Sequence, residues 1–583
     1  KAATFRKGDR ALADLSSFIQ LGLGDTAAAR KGFEAVLAGL PNDLDARFGL
    51  ALLDLAAGKK TEARSRLEDS LRVSPQNARA LLSLALIALD QGRNGEAASL
   101  VEKALATQSS DARVQLVAAR LAASRGDRAV AIFHAKNAIE LQPDKGEARR
   151  LLGSLLFAGA DFEGTAALMR ESVARNRKDQ AAWFTLGLAQ RALGKTSEAI
   201  YSLETALGIL PDDEVARISL ENLVVDSTPL EAAQRQTYAD WHVAKGREFE
   251  DRSYFDQALV EYKRALRIYP YSVQGRARYA ELLRKRGYPA KQLSELRFLE
   301  SIGKADRNTL DAIEIYASLL SDSVGLAWGL DQYALQKRPY RIALFIQGGQ
   351  PTEFHTDAGT ILLRYLSDIL ASTSRLRLLV LPPRVSAQSE AFRLAREAEA
   401  DYYLLFTLQE TEREIQLGGE LRVGRTGSLA TNFRSFRTGN DRVKNTTIRL
   451  ADTLVAALQP KGAIMKRNQD MAVIDLGSSD GVKVGDRFTV IKKGALTVKS
   501  EGLGPSWQSQ AVVGSFTVAK LDEEVASGTL KSSGFFDTIN VGDEIVATPP
   551  EPAKAGAKPV SAPPKTLAEP EFPGLYISIK QLR

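Results

Sequence analysis

A repeat with a period of 34 residues occupies the first 211 residues of the chain. Residues of one turn position recur at every period: Gly24, Gly58, Gly92, Gly126, Ala160 and Gly194. Small residues recur in the same phase at Ala29, Ala63, Ala97, Ala131, Thr165 and Ala199, and four units end at Pro41, Pro75, Pro143 and Pro211. Glycine permits a turn between helices, small residues permit close helix approach, and proline ends a helix. The period therefore predicts stacked pairs of helices.

The unit that ends at Pro211 shows the pattern most fully. Its characteristic residues are Trp183, Leu186, Gly187, Gly194, Ala199, Leu203, Ala206 and Pro211. On these positions the array resembles the tetratricopeptide-repeat (TPR) family. The resemblance implies an all-α TPR solenoid of about six repeats over residues 1–211, with an extended concave groove that binds polypeptide. Residues 212–336 carry further TPR-like units, one of them marked by Gly246, Phe249, Ala258, Tyr262, Ala265 and Pro270.

The same resemblance indicates which side chains line the groove, because the first helix of each TPR presents fixed positions to it. The matching residues are Phe18, Phe48, Leu52, Arg79, Arg113, Arg120, Arg150, Phe157, Phe184 and Arg191. Arginines interleaved with phenylalanines suit a partner segment that carries acidic and apolar side chains. The alternative is that the phenylalanines pack between repeats and the arginines form a solvated face. The lysine and asparagine that hold a terminal carboxylate in one branch of the family are replaced by Asp14 and Phe18.

The period changes after Lys337, where apolar runs alternate with helical patterns. We predict strands at 341–346, 376–381, 402–408, 415–423 and 429–437, and helices at 354–373, 386–400 and 442–458. These elements indicate an α/β domain over residues 337–460, a mixed sheet backed by helices. The run from Arg341 to Tyr402 resembles the sheet-and-helix domain of bacterial envelope proteins related to TolB and to the middle part of FlgT.

Residues 461–548 alternate strand patterns with glycine-aspartate turns, as in the phrases 480–486 and 541–545. Such turns predict a small barrel of five to seven strands. The segment resembles the SH3-like carboxy-terminal domain of FlgT. The proline- and alanine-rich residues 549–573 predict an extended linker. The tail at 574–583 alternates like a strand and is predicted to pair with a sheet edge.

The sequence predicts neither catalytic, cofactor-binding nor metal residues. The chain has no cysteine and three histidines, which excludes thiolate chemistry and cysteine-ligated metals. Gly348 and Gly349 match neither a dinucleotide fingerprint nor a P-loop. His355, between Glu353 and Asp357, is interpreted as a helix-capping, solvated residue rather than part of a metal or acid-base cluster. A TPR-regulated enzyme with a site around Gly348, His355 or Asp357 is the less favoured alternative.

The charge and the apolar runs of the chain bear on the kind of partner it binds. The net charge of +7 arises from 78 basic and 71 acidic residues without a basic block, so nucleic-acid binding is not predicted. No apolar run reaches the roughly 18 to 20 residues that cross a bilayer, and attachment through residues before Lys1 stays open. The two resemblances together imply a non-enzymatic protein-interaction scaffold of the bacterial periplasm or cell envelope, in particular a flagellar motor or collar component. The alternative is a periplasmic TPR factor for outer-membrane export or lipoprotein trafficking.

Overall fold

The computed structural model describes residues 10–330, 335, 337–347, 354–411, 413–548 and 574–583. The predicted fold class is confirmed: an all-α solenoid, a mixed sheet with helices and a closed β barrel follow one another along the chain. The predicted linker at 549–573 lies outside the described residues, as do Gly348, Gly349 and Glu353.

The first six helix pairs of the solenoid follow the 34-residue period. They are α1 (Arg10–Gly22), α2 (Thr26–Gly39), α3 (Leu44–Ala56), α4 (Lys60–Val73), α5 (Ala78–Asp90), α6 (Asn94–Gln108), α7 (Ala112–Ser124), α8 (Arg128–Leu141), α9 (Gly146–Ala158), α10 (Phe162–Arg175), α11 (Gln180–Ala192) and α12 (Thr196–Ile209). We call these pairs repeats 1 to 6. Gly58 turns the chain with a φ of 73°, and Ala160 takes the same left-handed conformation with a φ of 61°.

Two local features explain why the helices begin and pack as they do. Aspartate or asparagine caps the first helix of most repeats; the Asp43 carboxylate, for example, accepts a hydrogen bond from the backbone N–H of Ala46. Helices within and between repeats approach closely where glycine faces an aromatic ring. A Cβ at Gly49 would lie 2.3 Å from the Phe33 ring, so the period places glycine where a larger residue has no room.

The helices continue beyond repeat 6 in a changed phase. They are α13 (Glu214–Ser227), α14 (Ala233–Asp251), α15 (Phe255–Ile268), α16 (Val273–Lys285), α17 (Pro289–Ser301), α18 (Arg307–Leu319) and the single turn α19 (Val324–Ala327). Tyr262 of α15 is fully buried against α14, where a Cβ at Gly246 would meet its ring at 2.5 Å. This pair therefore repeats the glycine-aromatic packing of the earlier units.

The middle domain has one mixed sheet between helices. Its elements are β1 (Tyr340–Gln347), α20 (Ala358–Leu370), β2 (Leu376–Leu378), β3 (Arg384–Val385), α21 (Gln388–Glu397), β4 (Tyr402–Glu410), β5 (Glu414–Val423), β6 (Leu429–Thr438) and α22 (Arg442–Ala457). The strand order is β2-β1-β4-β5-β6, with β3 also beside β1; β1 runs parallel to β2, β3 and β4, and β4, β5 and β6 are antiparallel. Helices α20 and α22 cover one face together with α11 to α13, and α21 covers the other.

The carboxy-terminal domain closes a barrel in the order β12-β13-β8-β7-β14-β9. Its strands are β7 (Lys461–Asn468), β8 (Met471–Ile474), β9 (Arg487–Ile491), β12 (Val512–Leu521), β13 (Ala526–Ser532) and β14 (Glu544–Ala547); the short pair β10 (Thr497–Val498) and β11 (Pro505–Ser506) lies outside the closed barrel. The barrel contacts the solenoid, because the Glu523 carboxylate accepts from the backbone N–H of Lys291 at 3.3 Å, at the start of α17. Lys337 joins the barrel through Asp480 at 2.8 Å and Glu524 at 2.6 Å.

The strand predicted for the tail is wrong. Residues Gly574–Lys580 form a helix, α23, which packs on the solenoid rather than on a sheet edge. In so short a segment, Leu575, Ile577 and Ile579 satisfy a two-residue period, while Leu575, Ile579 and Leu582 equally satisfy a helical one. The helical arrangement prevails because it buries Ile579 and Leu582 in a surface that the solenoid already provides.

Candidate peptide-binding groove

The first helices of repeats 1 to 4 hold α23 along their shared face. The helix packs against α3 and α5, and residues that follow it reach α1 and α7. These four are the first helices of their repeats, the ones that line the groove in this family. The groove of repeats 1 to 4 therefore holds a segment of the same chain.

Apolar side chains anchor the tail. Ile579 is fully buried and Leu582 is 3% exposed, while Leu575 and Tyr576 are partly buried. Both buried residues join the apolar cluster that includes the predicted groove residues Phe18, Phe48 and Leu52. Phe18 packs edge-on against Phe33 with ring centroids 4.7 Å apart. Three of the ten predicted side chains thus form an apolar floor beneath the tail.

Two predicted arginines provide polar contacts to the tail. The Arg113 guanidinium donates to the carbonyl oxygen of Leu582 at 3.0 Å, and Arg120 donates to the side-chain amide oxygen of Gln581 at 3.4 Å. Burial acts to raise the pKa of Asp111, but hydrogen bonds from Arg113 keep that pKa below its ordinary value. Because this carboxylate also fixes the guanidinium, Arg113 is oriented toward the end of the tail before any ligand arrives.

The end of the tail opens onto a polar cavity of about 540 Å³. Its lining is Thr107, Gln108, Ser110, Asp111, Ala112, Arg113, Leu141, Gln142, Lys145 and Arg583. The Arg583 guanidinium lies over the Phe18 ring, 3.9 Å from its centroid. Arg113 and Lys145 therefore bring positive charge to a space that the tail borders but leaves open.

Arg79 contacts the groove floor. Among the described residues, no hydrogen bond joins its side chain to the tail. Its guanidinium lies 4.9 Å from the centroid of Phe48 and 2.5 Å from the Asp45 carboxylate. Cation–π and ion-pair contacts of this kind hold an arginine in one orientation. Arg79 of repeat 3 therefore packs on the Phe48 ring of repeat 2.

The remaining four predicted residues lie where the middle domain meets the solenoid. Phe184 is fully buried and packs edge-on against His355, with centroids 5.1 Å apart. Arg150 lies 5.9 Å from the Phe354 ring centroid. Arg191 pairs with Asp226 at 3.2 Å, a carboxylate that Arg364 also contacts at 3.0 Å. Phe157 packs on Phe162 within the solenoid and borders the same core. Four side chains expected to meet one peptide thus lie at or beside an interdomain contact.

His355 is not the solvated helix-capping residue that the sequence analysis predicts. It is 3% exposed, with Nε2 2.9 Å from Asp213 Oδ2 and Nδ1 3.0 Å from Glu410 Oε2. Burial acts to lower the pKa of His355, but the two carboxylates outweigh it and raise the pKa to about 10. The prediction failed because Asp213 also caps α13, accepting from Val215 N–H at 3.0 Å, and the sequence shows only that role. The imidazolium thus links the solenoid to the middle domain.

A second group of buried charges escaped sequence analysis. His242 of α14 lies between two carboxylates, Glu221 at 2.6 Å from Nε2 and Glu261 at 2.6 Å from Nδ1. Arg264 contacts Glu221 at 2.6 Å, and Lys444 of the middle domain reaches Glu261. Burial lowers the pKa of His242, yet Glu221 and Glu261 raise it above the ordinary value. The two carboxylates that face the ring therefore favour its protonated form.

These clusters hold paired charges rather than a site for an ion. Among residues 10–330, 335, 337–347, 354–411, 413–548 and 574–583, no three histidine, aspartate or glutamate side chains are arranged to hold a metal. Within the same ranges no helix has the length and apolar character that a bilayer span requires. Asp357, the other side chain of the considered cluster, is engaged by Arg384.

Two family models match parts of the chain. The tetratricopeptide-repeat model matches residues 50–112 and 160–214. The chain contains tetratricopeptide repeats. A model of the TPASS_0648 family, second domain, matches residues 339–456, which is the middle domain. No curated protein matches the sequence.

Several solved structures match parts of the chain. A structure of MamA is 19% identical, with 27% of this chain and 91% of that chain aligned and a TM-score of 0.25. The structure described as "YrrB: a TPR protein with an unusual peptide-binding site" is 17% identical, with 32% and 95% aligned and a TM-score of 0.27. Yeast Tom70 is 15% identical, with 52% and 61% aligned and a TM-score of 0.31.

Proposed function

We propose that this protein is a non-enzymatic scaffold that binds a partner protein through the groove of repeats 1 to 4. The proposed setting is a bacterial cell-envelope assembly in the periplasm, with the flagellar motor or collar as the specific complex. The observation that carries the proposal is the tail itself, because a short helix buries apolar side chains in the cluster that includes Phe18, Phe48 and Leu52. A surface that accommodates one amphipathic helix fits a partner helix of the same kind.

The two parts of the groove have different occupants, and this supports a scaffold that binds its partner through repeats 1 to 4. The middle domain engages repeat 6 through Phe184 and through the hydrogen bond between Thr185 and Thr356 at 2.9 Å. It meets repeat 5 at Arg150, whose guanidinium lies 5.9 Å from the Phe354 ring centroid. Among the described residues, the groove of repeats 1 to 4 contacts the short tail, and Arg113 and Lys145 line the open cavity beyond it. An acidic side chain next to an apolar helix would find a cation there. We therefore propose a partner that carries an apolar helix and an acidic side chain next to it.

The envelope setting rests on the resemblance of residues 341–402 to TolB-related and FlgT middle domains and of residues 463–548 to the FlgT carboxy-terminal domain. The combination with TPR units favours a stable structural role around a flagellar motor. A periplasmic factor for export or lipoprotein trafficking is the second candidate, because the groove holds a short segment of the kind that a transient client offers. The enzyme alternative stays the less favoured one, because His355 is buried between two carboxylates and Asp357 is paired with Arg384.

A crosslinked pull-down of the tagged protein from its native cells, with fractionation and quantitative mass spectrometry, tests this proposal. We expect stoichiometric recovery of motor or basal-body proteins in the envelope fraction. The double variant Arg113→Glu and Arg120→Glu should lose the partner. The control Arg170→Glu and Arg175→Glu, on the exposed side of α10, should retain it. Recovery with cytosolic clients would reject the setting, and equal recovery with both variants would reject the groove as the binding surface.

A further inference from the structure

We propose that residues 574–583 are an exchangeable internal ligand, and that the partner of repeats 1 to 4 is an amphipathic helix that must displace them. The inference rests on the proposed function, because it assumes that this groove binds a partner. It adds the chemistry of that partner and the reason that access to it is restricted. The tail side chains that face the groove define the pattern that a competing helix has to match.

The pattern is a single helical stripe. Leu575, Tyr576, Ile579 and Leu582 lie at positions i, i+1, i+4 and i+7, which fall on one side of a helix. The fully buried Ile579 and the nearly buried Leu582 occupy the centre of the contact, and Leu575 and Tyr576 pack at its edge. Lys580 is exposed on the opposite side. A partner helix therefore needs bulky aliphatic residues at two positions three apart and an aromatic or aliphatic pair one turn earlier.

The tail is anchored too lightly to be a permanent part of the solenoid. A helix of seven residues is too short to be stable by itself in water. Its polar contacts to the groove include one hydrogen bond of 3.0 Å from Arg113 and a longer one of 3.4 Å from Arg120. Each tail contact thus depends on the groove, while the groove helices are held by their own neighbouring repeats.

The middle domain shows how a permanent occupant of this solenoid is held. His355 contributes a buried charge between Asp213 and Glu410, and Arg364 makes two hydrogen bonds of 3.0 Å to Asp226. Lys444 adds a further buried charge. The apolar core is also continuous across this contact. The tail has no such buried ion pair among the described residues, so of the two occupants it is the one suited to exchange.

The chain connection makes a weak ligand effective. Twenty-five residues, 549–573, join the tail to the barrel, and a connection of that order gives an effective concentration in the millimolar range. If the free segment binds with a dissociation constant near 0.1 mM, about ten of every eleven molecules hold their own tail. An external helix then binds about tenfold more weakly than it would bind the open groove.

Fluorescence anisotropy with a labelled, amidated peptide of residues 574–583 tests the inference. The full chain carrying Ile579→Glu and Leu582→Glu keeps its length but should release its tail, and we expect it to bind the peptide at least about tenfold more tightly than the wild type. The control Lys580→Glu also places a glutamate in the tail, at an exposed residue whose ammonium lies 5.7 Å from the Tyr576 ring centroid, and it should change the affinity far less than the double variant does. A chain that ends at residue 573 should match the double variant. Circular dichroism of all four proteins establishes that the solenoid is folded.

The outcomes separate this inference from the proposed function. Equal affinity of wild type and double variant, or no binding to either the double variant or the shortened chain, would overturn the internal ligand. If such proteins still recovered the native partner in the pull-down, the scaffold function would stand without it. Tight peptide binding by the double variant with no partner recovered from cells would support the internal ligand and reject the scaffold function.

Discussion

Replacing His355 by glutamine should weaken the contact between the solenoid and the middle domain by about 3 to 5 kcal/mol at pH 6. The pKa of His355 rises from an ordinary 6.5 to about 10, and each pH unit of difference corresponds to about 1.4 kcal/mol. The upper limit is therefore about 5 kcal/mol. Removing one member of a buried ion pair costs about 3 to 5 kcal/mol, because the remaining charge loses its partner. Here the carboxylates of Asp213 and Glu410 would remain.

The pH dependence identifies the cause of this loss. A folded-state pKa above the unfolded one means that the stabilisation is fully present below pH 6.5 and disappears as the pH rises toward 10. Over that window the wild type should lose about 1.4 kcal/mol per pH unit through His355. The glutamine variant has no such proton to lose. The difference in unfolding free energy between the wild type and the variant should therefore decrease from pH 6.5 to pH 9.

Guanidinium unfolding at a series of pH values measures this difference, using the transition in which the middle domain separates from the solenoid because a multidomain chain need not unfold in one step. Imidazole NMR measures the pKa directly, since the chain has only three histidines. His134 is the control, and burial lowers its pKa. When His134→Gln is added to both proteins, the unfolding free energy lost through His355→Gln should stay the same. A His355 signal that titrates at or below pH 6.5, or a difference independent of pH, would refute the reasoning.

Three further substitutions test the packing. Lys444→Met should cost about 3 kcal/mol in guanidinium unfolding, because the buried carboxylate of Glu261 loses a cation; unchanged or increased stability would contradict this role. Gly49→Ala should cost about 1 to 3 kcal/mol by calorimetry, since its Cβ would lie 2.3 Å from the Phe33 ring. Gly126→Ala, at a φ of 83° in open space, should cost about 1 kcal/mol; a larger loss here than at Gly49 would reverse the expected order.

Local patterns predicted most of the fold because each repeat contacts mainly its neighbours. The 34-residue period placed turns such as Gly58, and apolar patterns marked the three antiparallel strands at Tyr402–Glu410, Glu414–Val423 and Leu429–Thr438. In these elements the residues that determine the structure lie close together in sequence. Short-range periodicity therefore carries enough information to define them.

The contacts between domains escaped prediction because their residues are far apart in sequence and have ordinary local roles. Lys444 and Glu261 each resemble a solvated charge on an amphipathic helix until α22 and α15 meet. Asp213 has the position of a helix cap in any repeat. The tail segment satisfied two periods, and only the groove floor selects between them. For the groove, sequence therefore indicated the lining residues but not that the chain itself covers them.

The contact between the middle domain and the solenoid affects where the repeat array can bend. A TPR array can bend at each contact between successive repeats, because each repeat packs mainly on its neighbours. Contacts of the middle domain with Arg150, Asp213 and Glu261 restrain the helices from α9 to α15. We therefore expect bending to be concentrated in the first four repeats, where the tail lies. A force applied through a bound partner would therefore deform repeats 1 to 4 first, while the helices that contact the middle domain would keep their arrangement.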